Sequence, residues 1–263
     1  VNDQIINASS KTDLQTARQR IRVDLAAAHR LAVMYGMQEG IFNHLTARVP
    51  GTPDRYYQIP FGLHWSEVNA SCFMEVGYDG RVLAGSGDVE PSAFGIHAPI
   101  HQKIAHADAV FHTHMPFAAA MSRLADPHIR SIGQTELSVM RHLVYDTDYH
   151  GPATDTDEGN RLVALLEAHP GKTIVAMANH GVLTLGSIAH AFDRLYYFER
   201  VAQVQMYALW SGEKLNYLSQ GAIDRANESY ARSGGRIGAK TWAEHHFDAL
   251  KRILDRREPD YRA

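Results

Sequence analysis

The chain has one cysteine, Cys72, in 263 residues, so no intrachain disulfide can form, as suits a reducing compartment. Long apolar runs are absent as well. The strongest, Phe117–Met121 and Ile174–Ala178, fall far short of the roughly 20 residues that cross a bilayer, which excludes a membrane partner. The first residues show no basic-then-apolar export signal, and a cytoplasmic location is the expectation. Charge of one sign is not in excess either. Lys and Arg number 26 against 29 Asp and Glu, a net charge of −3, and no basic block could neutralise a row of phosphates, which excludes nucleic acid. There is no internal repeat, low-complexity segment or interdomain linker. What the sequence has in abundance is histidine, 16 in all, and imidazole is the commonest protein metal ligand.

The apolar periodicity predicts a long helix over Asp13–Met34, stopped by Gly36. Short strands are expected at His44–Val49, Tyr56–Ile59, Phe73–Val76 and Arg81–Ala84, the last two joined by the hairpin turn Asp79-Gly80. A helix follows from Pro91 to about Ala105, although Pro99 clashes with the carbonyl four residues earlier unless it lies near the first turn. Strands Ala109–His114 and Thr173–Ala178 alternate with helical stretches near Phe117–Leu124, Asp157–Ala168 and Ile188–Trp210. Residues after about Leu215 form a charged helical tail broken at Gly234-Gly235 and Gly238. The division expected is a domain over 1–215 with a helical extension of it over 216–263.

His112-Thr113-His114 ends the first apolar strand. Side chains at i and i+2 on a strand share a face, so both rings can point at one ion about 2 Å from each nitrogen, or can form a hydrogen-bonded structural pair. Asn179-His180-Gly181 ends the second apolar strand, with a glycine that permits close backbone approach. Three histidines from two strand ends make a candidate metal centre with open coordination positions, the pattern of a catalytic site. Three imidazoles suit zinc, manganese, iron and cobalt, and do not choose among them.

At this point the chain resembles the class II aldolase/adducin head-domain family. The matching segments are Pro91-Ser92-Ala93-Phe94-Gly95-Ile96-His97, Ala109–His114, Ala178-Asn179-His180-Gly181-Val182 and the long helix after Ser187, with weaker matches at Gly40–Thr46 and the Gly62 turn. They run in family order from about Asp24 to Leu215. The resemblance implies an α/β fold of three layers, α/β/α, around a central mostly antiparallel sheet. It also implies a homotetramer with sites near subunit interfaces, and His112, His114 and His180 as ligands of a divalent metal ion. Asn43, Gly62 and Ser92 fall at its substrate pocket.

Two departures bear on function. Sugar-phosphate aldolases of this family carry a glutamate nineteen residues before the first metal histidine, and here that position is Ala93, which transfers no proton. His97 lies four residues on, the same helical face, and could serve as acid/base, as a fourth ligand or as a packed core histidine; His101 lies one turn further. Glu90, before Pro91, is expected to be extended and to point elsewhere. In the phosphate pocket, Phe61 precedes Gly62 and only Ser92 remains of a serine pair, so a phosphorylated sugar is not the expected substrate. Phe61, Trp65 and His64 suggest a flatter, more apolar substrate, unless they pack in the interior. Tyr149, or Tyr145, falls where aldolases of this kind supply a tyrosine proton donor.

Lewis-acid stabilisation of an enolate-like electron pair serves both retro-aldol cleavage and decarboxylation. The first needs a base for the hydroxyl proton, the second only a proton donor afterwards. With Ala93 at the base position, the expectation is a metal-dependent lyase. It would decarboxylate a small hydroxy-substituted carboxylate, aromatic or heteroaromatic, with His97 or water as proton donor. The alternatives are retro-aldol cleavage of a non-phosphorylated hydroxy acid, an adducin-like interaction protein, and an iron oxygenase using the same three histidines.

Overall fold

The computed structural model describes residues 2–263, with side chains from residue 11 onward. Helix α1 (Asn2–Met34) leads into strands β1 (His44–Arg48), β2 (Arg55–Gln58), β3 (Met74–Gly77) and β4 (Val82–Ala84). Then come α2 (Pro91–Lys103), β5 (Ala109–Thr113), α3 (Pro116–Ser122), α4 (Gln134–Met140), β6 (Leu143–Asp146) and α5 (Asp157–Ala168). The chain continues through β7 (Ile174–Met177), β8 (Val182–Gly186), α6 (Ile188–Trp210), α7 (Gln220–Ser233), the hairpin β9 (Arg236–Ile237) and β10 (Lys240–Thr241), and α8 (Trp242–Arg257).

Among the described residues, eight strands form one sheet in the order β4-β3-β2-β1-β5-β8-β7-β6, antiparallel except for the β6–β7 pair. Alternation along β5 sorts the two covering layers. Ala109 and Phe111 enter one core with residues of α1, α6 and α8, while Val110 enters the other with residues of α2 and α5. This is the three-layer α/β/α fold expected from the sequence. The extension beyond residue 215 packs on the first core: Phe247 of α8 lies 5.6 Å from Phe192, and Tyr261 is fully buried. None of the described helices is long and apolar enough to cross a membrane.

Two features go beyond the sequence expectation. Helix α2 falls where expected, with Pro99 inside it and not in its first turn. The Gly95 carbonyl, which Pro99 cannot bond, lies where α2 meets α5, so close that a Cβ on Gly159 would sit 2.3 Å from it. The segment after Ala178 is also not a strand end but the tip of a β7–β8 hairpin, closed by Met177 N donating to Gly181 O at 2.9 Å, with Asn179 left-handed at φ 54°. That hairpin carries His180 back towards β5.

Candidate metal centre

The cluster forms at one end of the sheet, where β1 and β8 begin and β5 and β7 end. In the β1–β5 register His44 pairs with His112, and in β5–β8 His112 pairs with Leu183. His112 and His114 therefore share the α2-facing side, with His180 at the adjacent turn. The three rings lie 4.7–4.9 Å apart between centroids, and a nitrogen from each lies within 4.8 Å of the others. The two metal-binding candidates from one strand and the third from the hairpin do converge.

Their tautomers are set from behind. His112 Nδ1 sits 3.1 Å from the Val182 carbonyl, which only accepts, so Nδ1 carries the proton and Nε2 is bare. His114 Nδ1 sits 2.5 Å from the Glu39 carboxylate, so its proton is held on Nδ1 and the neutral tautomer presents a bare Nε2. The two bare Nε2 atoms are 3.1 Å apart. Two lone pairs that close repel unless a cation lies between them. Ligands about 2 Å from a tetrahedral ion would be about 3.3 Å apart, so the donor set fits a divalent metal. Burial first, then the neighbouring histidines, holds His112 well below the usual imidazole range, and burial followed by His114 lowers His180 to about 4. Both are neutral at pH 7, the form that ligates. Glu39, absent from the sequence reading, is the carboxylate that orients a candidate metal histidine; nothing in its local pattern marks it.

A second chain of imidazoles lies behind the first. His101 Nδ1 faces the Ala107 carbonyl at 2.9 Å, so its Nε2 accepts, and the Thr46 hydroxyl, shared with the Val110 carbonyl at 3.2 Å, donates to it at the shorter distance of 2.8 Å. Thr46 Oγ1 then accepts from His97 Nδ1 at 2.7 Å, which leaves His97 Nε2 to accept from His44 Nδ1 at 3.3 Å. At the far side His44 Nε2 meets the Glu90 carboxylate at 3.2 Å and Ser92 Oγ at 3.1 Å. Both nitrogens of His44 are thus asked to donate. Burial, His44 and His101, in that order, keep His97 far below its ordinary range.

This placement corrects the reading of His97, which is fully buried with both nitrogens engaged and does not reach the open site. His44 stands in front of it, stacked 5.4 Å from His112. Trp65 is corrected too. It lies fully buried in the α1-side core, edge-on to His29 at 5.0 Å, and faces no ligand pocket. Tyr145 accepts a hydrogen bond from Ile129 N, and its ring lies tilted against that of His128 at 4.3 Å. Tyr149 is exposed, its ring 6.0 Å from that of His180.

Beside His44 a slot is lined by Asn43, Gln58, Phe61 and Glu90. Asn43, left-handed at φ 74°, accepts from His114 N through Oδ1 at 3.0 Å, which turns its Nδ2 into a buried donor with no protein partner. Gln58 Oε1 is likewise a buried, unpartnered acceptor. Phe61 is exposed and tilts towards Phe42 at 6.2 Å, and the Gly62 turn, φ 95°, follows it. Ser92 Oγ donates to Glu90 at 2.6 Å. Glu90 is extended, as expected before a proline, but it points at the site. It caps α2 by accepting from Ala93 N at 2.6 Å, and hydrogen bonds from His44 and Ser92 outweigh its burial to hold its carboxyl at about 2.

Three imidazoles converging on one point, backed by a carboxylate and a carbonyl, make a candidate metal centre in a protein of α/β/α architecture. Residues 23–206 match the class II aldolase and adducin N-terminal domain family, and the chain belongs to that family. A Pseudomonas aeruginosa protein whose name assigns it provisionally to aldolase class 2 is 33% identical over 259 residues, covering 97% of this chain and 96% of its own. Rat alpha-adducin is 28% identical across 97% of this chain, which spans 35% of the adducin. Among solved structures, an aldolase II superfamily protein from Pseudomonas syringae superposes with a TM-score of 0.83 at 31% identity, covering 94% of this chain and 96% of that one. An L-fuculose 1-phosphate aldolase from Glaciozyma antarctica shares the fold at a TM-score of 0.79 and 22% identity, covering 95% and 94%.

Proposed function

We propose that the protein is a divalent-metal-dependent carbon–carbon lyase that decarboxylates a hydroxy-substituted carboxylate with a flat aromatic or heteroaromatic body. The observation that carries this reading is the pair of bare Nε2 atoms on His112 and His114, 3.1 Å apart, with His180 beside them. These three residues would hold the ion. A bound zinc, manganese, iron or cobalt would supply a Lewis acid that draws off the electron pair of the breaking bond.

The chain's own groups fit decarboxylation better than aldol cleavage. Ala93, fully buried, offers no base. The nearby Glu90 carboxyl, held at about 2 and occupied in capping α2, takes up a proton poorly at neutral pH. What the site does offer is a donor. His44, called on to donate from both nitrogens, can pass a proton from Nε2 to the carbon that has lost carbon dioxide, with His97, Thr46 and His101 holding its other edge. Asn43 Nδ2 supplies a donor for a substrate oxygen and Gln58 Oε1 an acceptor for a substrate hydroxyl, while Phe61, with Phe42 beyond it, offers ring surface to the slot. Exposure of Phe42, Phe61 and Tyr149 around the cluster fits a homotetramer in which a neighbouring chain closes the site.

The test is carbon dioxide release by purified protein loaded in turn with each metal and offered ortho-hydroxybenzoates and hydroxypyridine carboxylates. Metal-dependent release supports the reading. Formation of pyruvate and an aldehyde from hydroxy acids, oxygen uptake that requires iron, or no turnover with any metal would contradict it.

A further inference from the structure

A cavity of about 590 Å³ lies at the other end of the β7–β8 hairpin from the histidines, lined by Ile174 at the start of β7 and walled by α4, α6, α7 and α8. Two guanidiniums line it, those of Arg141 and Arg194. Arg194 comes from α6 and donates to the Leu185 carbonyl through Nη1. Gly186 makes room for it, since a Cβ there would sit 2.6 Å from that nitrogen. Neither arginine has an ion pair among the described residues. The acidic group in the lining, Asp193, is taken by His246 Nδ1 at 2.8 Å.

Asp193 offsets at most one of the two positive charges. Burial, then Arg194 and Arg141, hold His142 at about 4, and burial followed by Arg194 lowers His190, so both histidines are neutral at pH 7. Burial pushes Arg194 down to about 10, and it remains charged. One carboxylate, Asp193, shared between two guanidiniums leaves net positive charge on the lining, and an anion entering the cavity balances it through charge-assisted, bidentate hydrogen bonds. An apolar wall stands beside them. Arg141 sits 5.2 Å over the Tyr230 ring, and Tyr230 meets Trp242 edge-on at 6.4 Å.

We propose that this cavity is a second ligand site, separate from the histidine cluster, for a small organic anion. Its carboxylate or phosphate group pairs with Arg194 and Arg141, and its flat apolar body lies against Tyr230 and Trp242. The C-terminal extension supplies the aromatic wall, which gives residues 216–263 a role that does not involve the metal centre.

Isothermal titration of the full chain with phenyl phosphate and with benzoate tests this, with inorganic phosphate as the probe that has no body. The expected result is saturable binding, one site per chain, of at least one aromatic anion, tighter than inorganic phosphate. Arg194→Gln and Arg141→Gln should each weaken it by about tenfold or more, the loss of one charge-assisted contact, while His112→Ala leaves it unchanged. Arg141 is exposed, so its variant folds even if Arg194→Gln does not. The two aromatic probes show which headgroup is preferred. No saturable binding of either, or binding that disappears in His112→Ala and survives Arg141→Gln, overturns the proposal.

Discussion

Replacing Glu39 probes how the metal centre is held. Its carboxylate lies 2.5 Å from His114 Nδ1 and is the group that fixes that ring's proton and orientation. His112 is served by a backbone carbonyl, which no substitution removes. Loss of such an outer partner typically weakens metal affinity 10–100-fold. The Glu39 side chain is 57% exposed, so water replaces part of what is lost, and the lower end applies: about tenfold, or ~1.4 kcal/mol, for Glu39→Ala. Glu39→Gln keeps an acceptor oxygen without its charge and should fall between the two. Competition for Zn²⁺ or Mn²⁺ against a chromophoric chelator reads this directly, with melting temperature as a control that an exposed side chain should leave nearly unchanged. If Glu39→Ala binds metal as tightly as the native chain, the carboxylate does not orient the ligand and the account of the cluster's tautomers is wrong.

Three further outcomes are expected. His44→Gln should abolish carbon dioxide release while leaving metal content intact, and His97→Gln should lower turnover less; loss of metal in His44→Gln would show that His44 serves the ion, not the proton. Gly181→Ala would place a Cβ 2.4 Å from the Thr113 carbonyl and 2.8 Å from His114 Cδ2, so strand separation should cost about 2 kcal/mol in chemical denaturation and weaken metal binding; native values for both would refute the close approach. His29, fully buried against Trp65, is lowered by burial to about 4 from 6.5. Below 6.5 the unfolded chain takes up a proton that the folded chain refuses, so stability falls from pH 6.5 towards pH 4, on the order of 3 kcal/mol. His29→Leu should flatten that part of the melting-temperature profile, and an unchanged slope would exclude His29 as its source.

Much of the architecture is legible in local pattern. Helices α5 and α6 fall where their apolar periodicity places them, since an amphipathic stripe reports helix and buried face together. Strands β6 and β8 and helix α4 escape the same reading. The strands have four and five residues and the helix seven, too few for a period to show. For β8, Asn179 and Gly181 followed by an apolar run do signal a hairpin once a left-handed asparagine is considered. The His-x-His pair is legible because spacing on a strand fixes direction, whereas His180 is brought to it by the β7–β8 hairpin. Trp65 and His97 are misplaced because direction within a core depends on which neighbour a ring meets, His29 for one and Thr46 with His44 for the other. Glu39 could not be found at all, since its partner lies 75 residues away.

The most direct measurement is the number of divalent ions bound per chain, by elemental analysis after dialysis, in the native protein and in His180→Ala, whose ring sits at a turn and can be removed without opening the core. The account predicts about one ion per native chain, retained in His97→Gln and lost in His180→Ala together with carbon dioxide release. Full metal occupancy in His180→Ala, or turnover that survives without the ion, would contradict it.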